Sequence, residues 1–283
     1  MSQQPRSLQP LVRPGSVGSL FRKTGRIVSW FSCGAASAVA TKKAIEKYGE
    51  VDIYYCDTKQ EHEDNPRFLA DCEKWFGRRI TTVRNDKYKD AFDVFEKMRF
   101  ISSVNGAPCT GELKRVPSNA VWSLGDTEIF GYTADEVTRL IRWSAENPER
   151  HIECPLIDLG ISKSDCFDLL KAVGIELPQM YKLGFANNNC RACPKARDSL
   201  DYWKRTRKHF PADFNRMAAL ERTLGHAINR VSVKGERRPI FLDEIPPGEP
   251  TAPDPKMSCG LFCASEEPPP NMHISNPSQN EQR

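Results

Sequence analysis

Ten cysteines in 283 residues are the first chemistry the chain offers. Cys190 and Cys193 stand as C-x2-C, a spacing that lets two thiolates wrap one metal ion or one edge of a cluster. Such a pair needs partners, and Cys109, Cys259 and Cys263 are the candidates. A redox disulfide within the pair is the competing reading, but no thioredoxin-like context surrounds it. Cys33, Cys56, Cys72, Cys154 and Cys166 fall in elements or at their edges and read mostly as buried small hydrophobes.

A second chemistry is anion binding. Ser32-Cys33-Gly34-Ala35-Ala36-Ser37 follows the apolar run Ile27 to Phe31 and opens Ala-rich helical sequence that continues to about Tyr48. A strand, a turn of small residues and a helix N-terminus leave backbone N–H groups and a positive dipole end at one place, which suits phosphate. An ordinary strand-to-helix turn explains the same residues. Asp57 and Thr58, with Glu61, end a second strand, where Asp57 could hold Mg²⁺ or a ribose or adenine edge. The plain alternative is a solvated acidic loop that includes Glu63, Asp64 and His62. Pro108 to Pro117 reads as a compact loop in which Lys114 and Arg115 offer charge to phosphate or sulfate, with Cys109 close to that charge. Tyr202 to Phe210 mixes bases with aromatic residues. It is either a nucleic-acid surface or an amphipathic pair of helices with basic solvent faces.

The elements that must position these residues alternate. Strands are expected at Ile27 onward, Val51–Cys56, Ile80–Val83, Thr127–Phe130 and Ile152–Leu159. Helices are expected at about 35–48, 66–76, 88–98, 135–146 and 162–173, the last with Ser162 as N-cap and Asp165 three residues on. This predicts an α/β fold with a doubly wound, mostly parallel sheet and ligands at the C-terminal strand ends, where Ser32, Asp57 and Tyr132 all lie. The expected organisation is a disordered arm over 1–25, a nucleotide-binding domain over 26–180, and a C-x2-C and basic helical region over 181–244. A Pro-rich linker with the Cys259–Cys263 arm follows over 245–264, then a disordered tail over 265–283.

Composition sets bounds. A chain of this length with 39% hydrophobic residues buries one sizeable core plus an appendage, and a net charge of +4 permits an anionic ligand or nucleic acid without requiring either. No run of about 18 apolar residues and no apolar signal core is visible. The expected location is therefore the cytoplasm, where cysteines are thiols or metal ligands.

In order along the chain, Ser32 to Ser37, Asp57-Thr58 with Glu61, Cys109 to Lys114, and Gly131-Tyr132 with Glu136 and Arg139 resemble the phosphoadenosine phosphosulfate (PAPS) reductase-like branch of the PP-loop adenine-nucleotide α-hydrolases. The resemblance covers roughly residues 26 to 195. It is nearest to small phage and bacterial members, in which Asn-Asn-Cys-x-x-Cys precedes Tyr-Trp and Phe-Pro, as Asn188 to Pro211 do here. It implies that Ser32, Cys33, Gly34 and Ser37 hold phosphate and that Asp57 and Thr58 line the nucleotide pocket. Lys114 would meet the phosphate or sulfate end, and Gly131, Tyr132 and Arg139 would complete the site. It further implies a [4Fe–4S] cluster, for which Cys109, Cys190 and Cys193 match three of the family's four cysteines while Thr110 replaces the other. A fourth ligand must come from elsewhere, with Cys259 or Cys263 as candidates, and zinc is the alternative metal. Two further positions depart from the pattern. Cys33 replaces the first Gly of Ser-Gly-Gly-x-x-Ser, which limits the backbone angles. Ser258-Cys259-Gly260-Leu261-Phe262 keeps Cys-Gly-Leu but lacks the flanking Glu and His of the reductases' catalytic arm.

The functions these readings allow are three. One is reduction of a sulfonucleotide such as PAPS, with Cys259 as nucleophile and a thiol reductant. Another is an ATP pyrophosphatase that adenylates and thiolates a DNA or tRNA docked on the basic 200–225 region. The third is a nucleotide- or nucleic-acid-binding module with structural zinc.

Overall fold

The computed structural model describes residues 25–103 and 106–254. The expected tail, all but the last residue of the expected N-terminal arm, and Cys259 and Cys263 lie outside them.

The elements run β1 (Ile27–Trp30), α1 (Ala35–Tyr48), β2 (Asp52–Cys56), α2 (Asn65–Phe76), β3 (Thr81–Val83), α3 (Ala91–Met98), α4 (Pro108–Thr110), a π-helical turn (Gly111–Arg115), α5 (Val116–Val121) and β4 (Thr127–Ile129). They continue through a 3₁₀ turn (Ala134–Glu136), α6 (Val137–Glu146), β5 (His151–Glu153), α7 (Pro155–Asp158), α8 (Lys163–Ala172), α9 (Gln179–Lys182), α10 (Leu200–His209) and α11 (Pro211–Leu224). The hairpin β6 (Asn229–Val233) and β7 (Glu236–Ile240) follows.

Five strands form one sheet in the order β3-β2-β1-β4-β5, with every pair parallel. This is the doubly wound α/β fold that the alternating pattern predicts. Alternate strand residues face opposite ways. Ile53, Tyr55 and Ile129 pack with Phe68, Phe76 and the alanines of α1 on one face, while Val28, Trp30 and Cys56 pack with Phe130 and Trp143 on the other. The chain winds from β1 to β3 in one direction and places β4 and β5 in the other, so the switch point opens between the ends of β1 and β4.

Local chemistry explains where the elements depart from expectation. The strand expected over 152–159 ends at Glu153, because Pro155 has no N–H for a ladder and sits instead in the first turn of α7. The loop expected over 108–117 is helical. Pro108 starts it, and Pro117 has no N–H to bond the Leu113 carbonyl. The turn between them widens so that Val116 N bonds Gly111 O. That widened turn buries Lys114.

A third cluster joins Phe92, Phe95 and Leu113 to Met180, Phe185, Tyr202, Trp203, Phe214 and Met217, so α3 shares a core with α10 and α11. The stretch before Asp254 is clasped along α10 rather than spanning open space. Thr251 N donates to Asp201, Lys208 pairs with Glu249, and buried Asp254 pairs with Arg205 and accepts from Ala186 N. Among the described residues no helix is long and apolar enough to cross a membrane.

Candidate functional site

The turn after β1 is closed by its own last residue. Ser37 Oγ accepts from Ser32 N at 3.1 Å and Gly34 N at 3.3 Å, and donates to Gly34 O at 2.9 Å. Cys33 adopts φ +58°, the left-handed region a Gly would take without cost. Cys33 therefore follows a glycine-like path at the expense of strain. Two contacts hold it there: Asn188 Nδ2 donates to Cys33 O at 2.6 Å, and the thiol donates to Asn65 O at 3.5 Å. The thiol is fully buried, which pushes its pKa well above the ordinary value.

Gly131, just past β4, meets this turn at the switch point. A Cβ there would lie 2.6 Å from Ser37 Cα and 2.7 Å from Ser37 N, so only glycine lets the end of β4 approach the α1 N-terminus so closely. Between them lies a partly open cleft of about 100 Å³. Ser32, Gly34, Ser37, Gly131, Lys114 and Arg139 all line it, so the structure brings six of the expected nucleotide-site residues together.

Further side chains complete the cleft that sequence reasoning did not assign to it. Lys163, the first residue of α8, lines it and lies 5.6 Å from the centre of the Tyr181 ring; burial lowers its ammonium pKa. Tyr181 OH accepts from Ala35 N at 3.4 Å, capping α1. Asn187, Asn188 and Asn189 form one wall. The Asn run was a visible signal; Lys163 and Tyr181 carried none. Lys114, Arg139 and Lys163 thus face a helix N-terminus across the cleft, and Glu136 is the carboxylate among its lining residues.

Arg139 is held from two sides. Its Nη1 donates to Glu136 Oε1 at 2.8 Å and its guanidinium lies 4.3 Å from the Tyr132 ring centre. Its Nε and Nη2 are buried without a hydrogen-bond partner, as are Asn188 Oδ1 and Asn189 Nδ2. An unpaired buried donor or acceptor costs about 1–3 kcal/mol, so these three donors and one acceptor, on side chains that line the cleft, would each be stabilised by a polar partner. Tyr132 acts from behind Arg139 and does not line the cleft. Its hydroxyl is buried without a partner, and burial pushes its pKa up to about 12.

Asp57 and Thr58 do not line the cleft either. Asp57 accepts from Lys59 N at 2.8 Å in its own loop. Thr58 instead borders a second cavity of about 20 Å³, together with Cys109, Lys114, Cys190 and Cys193, and its Oγ1 lies 3.1 Å from Cys190 Sγ. Lys114 is common to both cavities. The acidic loop is not solvated as a whole. Glu61 is buried, its carboxylate accepting from Tyr55 OH at 2.6 Å and Asn65 Nδ2 at 2.7 Å, with Lys114 Nζ 3.6 Å away. Burial raises the Glu61 pKa while Lys114 opposes the rise.

Three soft thiols around one cavity are ligands of the right kind for iron or zinc. A volume of about 20 Å³ holds one water-sized occupant, however. Among the described residues no group of three or more His, Cys, Asp or Glu is arranged to hold a metal ion. The described residues alone therefore do not fit a four-iron cluster.

The basic 200–225 region spends its cations on the protein itself. Arg205 pairs with Asp254, Arg207 donates to Leu242 O and Ile245 O, and Lys208 pairs with Glu249. Arg216 pairs with Asp90 and Glu96, and Arg222 with Asp243 and Glu244. Tyr202, Trp203 and Phe214 are buried, as in the amphipathic-pair reading.

No family model matches the chain, and no curated protein matches its sequence. Among solved structures, the chain is similar to a crystal structure of phosphoadenylyl-sulfate (PAPS) reductase from Candida auris in complex with phosphate. The identity is 11% and the TM-score 0.43, over 58% of this chain and 81% of that one.

Proposed function

We propose that the cleft between β1 and β4 binds the phosphate or sulfate end of an adenine nucleotide, and that the protein is a PAPS reductase-like enzyme of sulfur chemistry. One observation carries this reading. Three cations and the α1 N-terminus converge where Arg139, Asn188 and Asn189 present buried polar atoms without partners. In this reading the α1 amides, with Ser32 and Ser37, hold a tetrahedral anion. Arg139 and Lys163 neutralise it, and Lys114 meets the group that reacts.

Cys109, Cys190 and Cys193 are the proposed ligands of an iron–sulfur cluster or zinc, completed by Cys263. Their cavity is small, so binding a larger group requires the thiols to part. Cys259 is the proposed nucleophile, with a thiol reductant as the source of electrons. The Asp57 carboxylate is engaged in its own loop, and no role for Mg²⁺ is proposed.

The test is anaerobic purification with metal analysis and a visible spectrum, followed by incubation with ATP and with PAPS. Sulfite release from PAPS that is lost in Cys259→Ser supports reduction. Pyrophosphate release from ATP that survives the same substitution replaces that reading with adenylation. Absence of calorimetric binding of either nucleotide overturns the nucleotide site itself.

A further inference from the structure

The hairpin β6–β7 stands apart from the five-stranded sheet as an antiparallel ribbon pairing Asn229 with Ile240 through Val233 with Glu236. Two-stranded ribbons are marginally stable alone. This one is anchored at its base: Asn229 is buried, and buried Glu221 accepts from Ile228 N and Leu242 N at the two points where the ribbon leaves the core. Asp198 adds a lateral tie, accepting from Arg230 N at 2.9 Å and Arg237 Nη2 at 2.7 Å. Beyond the base the ribbon is exposed on both faces, so it contributes little to the core.

Its composition differs from that of the neighbouring helices. Residues 229–240 hold four cations, Arg230, Lys234, Arg237 and Arg238, against one carboxylate, Glu236. The strand register places Arg230 and Arg237 on one face and Arg238 on the other, while Lys234 sits in the tip with Gly235, both at positive φ. Arg237 and Arg238 side chains are 62% and 63% exposed despite their pairing with Asp198 and Glu236. The Arg238–Glu236 pair, exposed on both sides, is weak and readily exchanged for a stronger anion, and Arg237 keeps most of its surface in solvent beside the less exposed Asp198.

We propose that the β6–β7 ribbon is a docking element for the phosphate backbone of B-form double-stranded DNA. The B-form major groove, about 12 Å wide, admits a two-stranded ribbon. Cations on both faces and at the tip then meet phosphates on both groove walls. The ribbon has no aromatic residue, so it lacks the stacking platform that single strands use. The deep, narrow major groove of A-form RNA does not admit it. This assignment does not rest on the nucleotide reading of the cleft, and it moves the nucleic-acid expectation from 200–225 to the hairpin.

The experiment is fluorescence anisotropy of a labelled 20-base-pair DNA duplex with the full chain, between 50 and 200 mM KCl. Each phosphate contact contributes about 0.9 to the slope of log K against log salt, so four cations predict a slope of magnitude about 3.6 or more. Replacing the four by R230Q, K234N, R237Q and R238Q is expected to remove about 3.6 from the slope and weaken binding at least tenfold. Asn is chosen at 234 because it tolerates positive φ. Circular dichroism and nucleotide binding serve as controls for the fold, and the charge-keeping R230K/R237K/R238K variant is expected to retain the slope. Failure of the wild-type chain to bind duplex, an unchanged slope in the four-fold variant, or equal affinity for a single strand or an RNA duplex overturns the proposal.

Discussion

Lys114 and Glu61 meet 3.6 Å apart, both nearly excluded from solvent, and Lys114 borders both the anion cleft and the cysteine cavity. Truncating one member of a buried pair leaves the other charge uncompensated, at a cost of about 3–5 kcal/mol. Lys114→Ala is therefore expected to lower unfolding free energy by about 3 kcal/mol and to weaken nucleotide binding. Adding Glu61→Gln removes the stranded carboxylate. Denaturant unfolding should recover most of the stability in the double variant, while calorimetry should show affinity still lost. Recovery of both would make Lys114 a structural residue only.

Gly131 faces a harder constraint. Its missing Cβ leaves the space that Ser37 backbone atoms fill at 2.6–2.7 Å, and backbone cannot swing aside as a side chain can. Gly131→Ala should cost about 2 kcal/mol or more by overpacking and should part β4 from α1. The expected readouts are a lower melting temperature and loss of phosphate binding. Wild-type affinity in a folded variant would show that the close approach is not needed for the site.

Cys33 gives a test of strain. A non-glycine residue in the left-handed region costs about 1–2 kcal/mol, and the thiol offsets part of this by burial. Cys33→Gly removes strain and packing together and is expected to change stability by less than about 1 kcal/mol. Cys33→Val adds a β-branched residue at positive φ and should cost about 3 kcal/mol in urea unfolding. Equal tolerance of both variants would remove the strain account. The raised thiol pKa also means that alkylation of the native protein at pH 8 should leave Cys33 unlabelled.

Glu221 makes stability depend on pH. Burial pushes its carboxyl up to about 7, although two backbone amides favour the ionised form. A folded value above the unfolded one means that the native state holds the proton more tightly. Its contribution is therefore fully present below about pH 4.5 and is lost as pH rises through 7. The span corresponds to about 3 kcal/mol. Glu221→Gln should flatten the fall of unfolding free energy between pH 5 and 8; an unchanged profile would place the titration elsewhere.

The regular elements were legible because their signals are local. Apolar strands, the Ser162 cap with Asp165, and the small-residue turn at Ser32 each act within a few residues. Where expectation failed, a local rule had been read too weakly. Pro155 cuts β5 short, and Pro108 opens a helix where a loop was expected, with Pro117 following the widened turn that buries Lys114. The Lys234-Gly235 turn held the hairpin's signal in plain view.

The sequence by itself determined the parallel α/β order and the chemistry present at each strand end, because periodicity and turn residues act locally. Only the tertiary structure decided which of those residues share a cleft. Lys163, Tyr181 and Asn188 reach the Ser32 turn from more than 120 residues away. Asp57, a strand-end residue like Ser32, turns into its own loop, while Thr58 joins the cysteines. Helix packing and the burial of charge set these placements, and both depend on the whole fold.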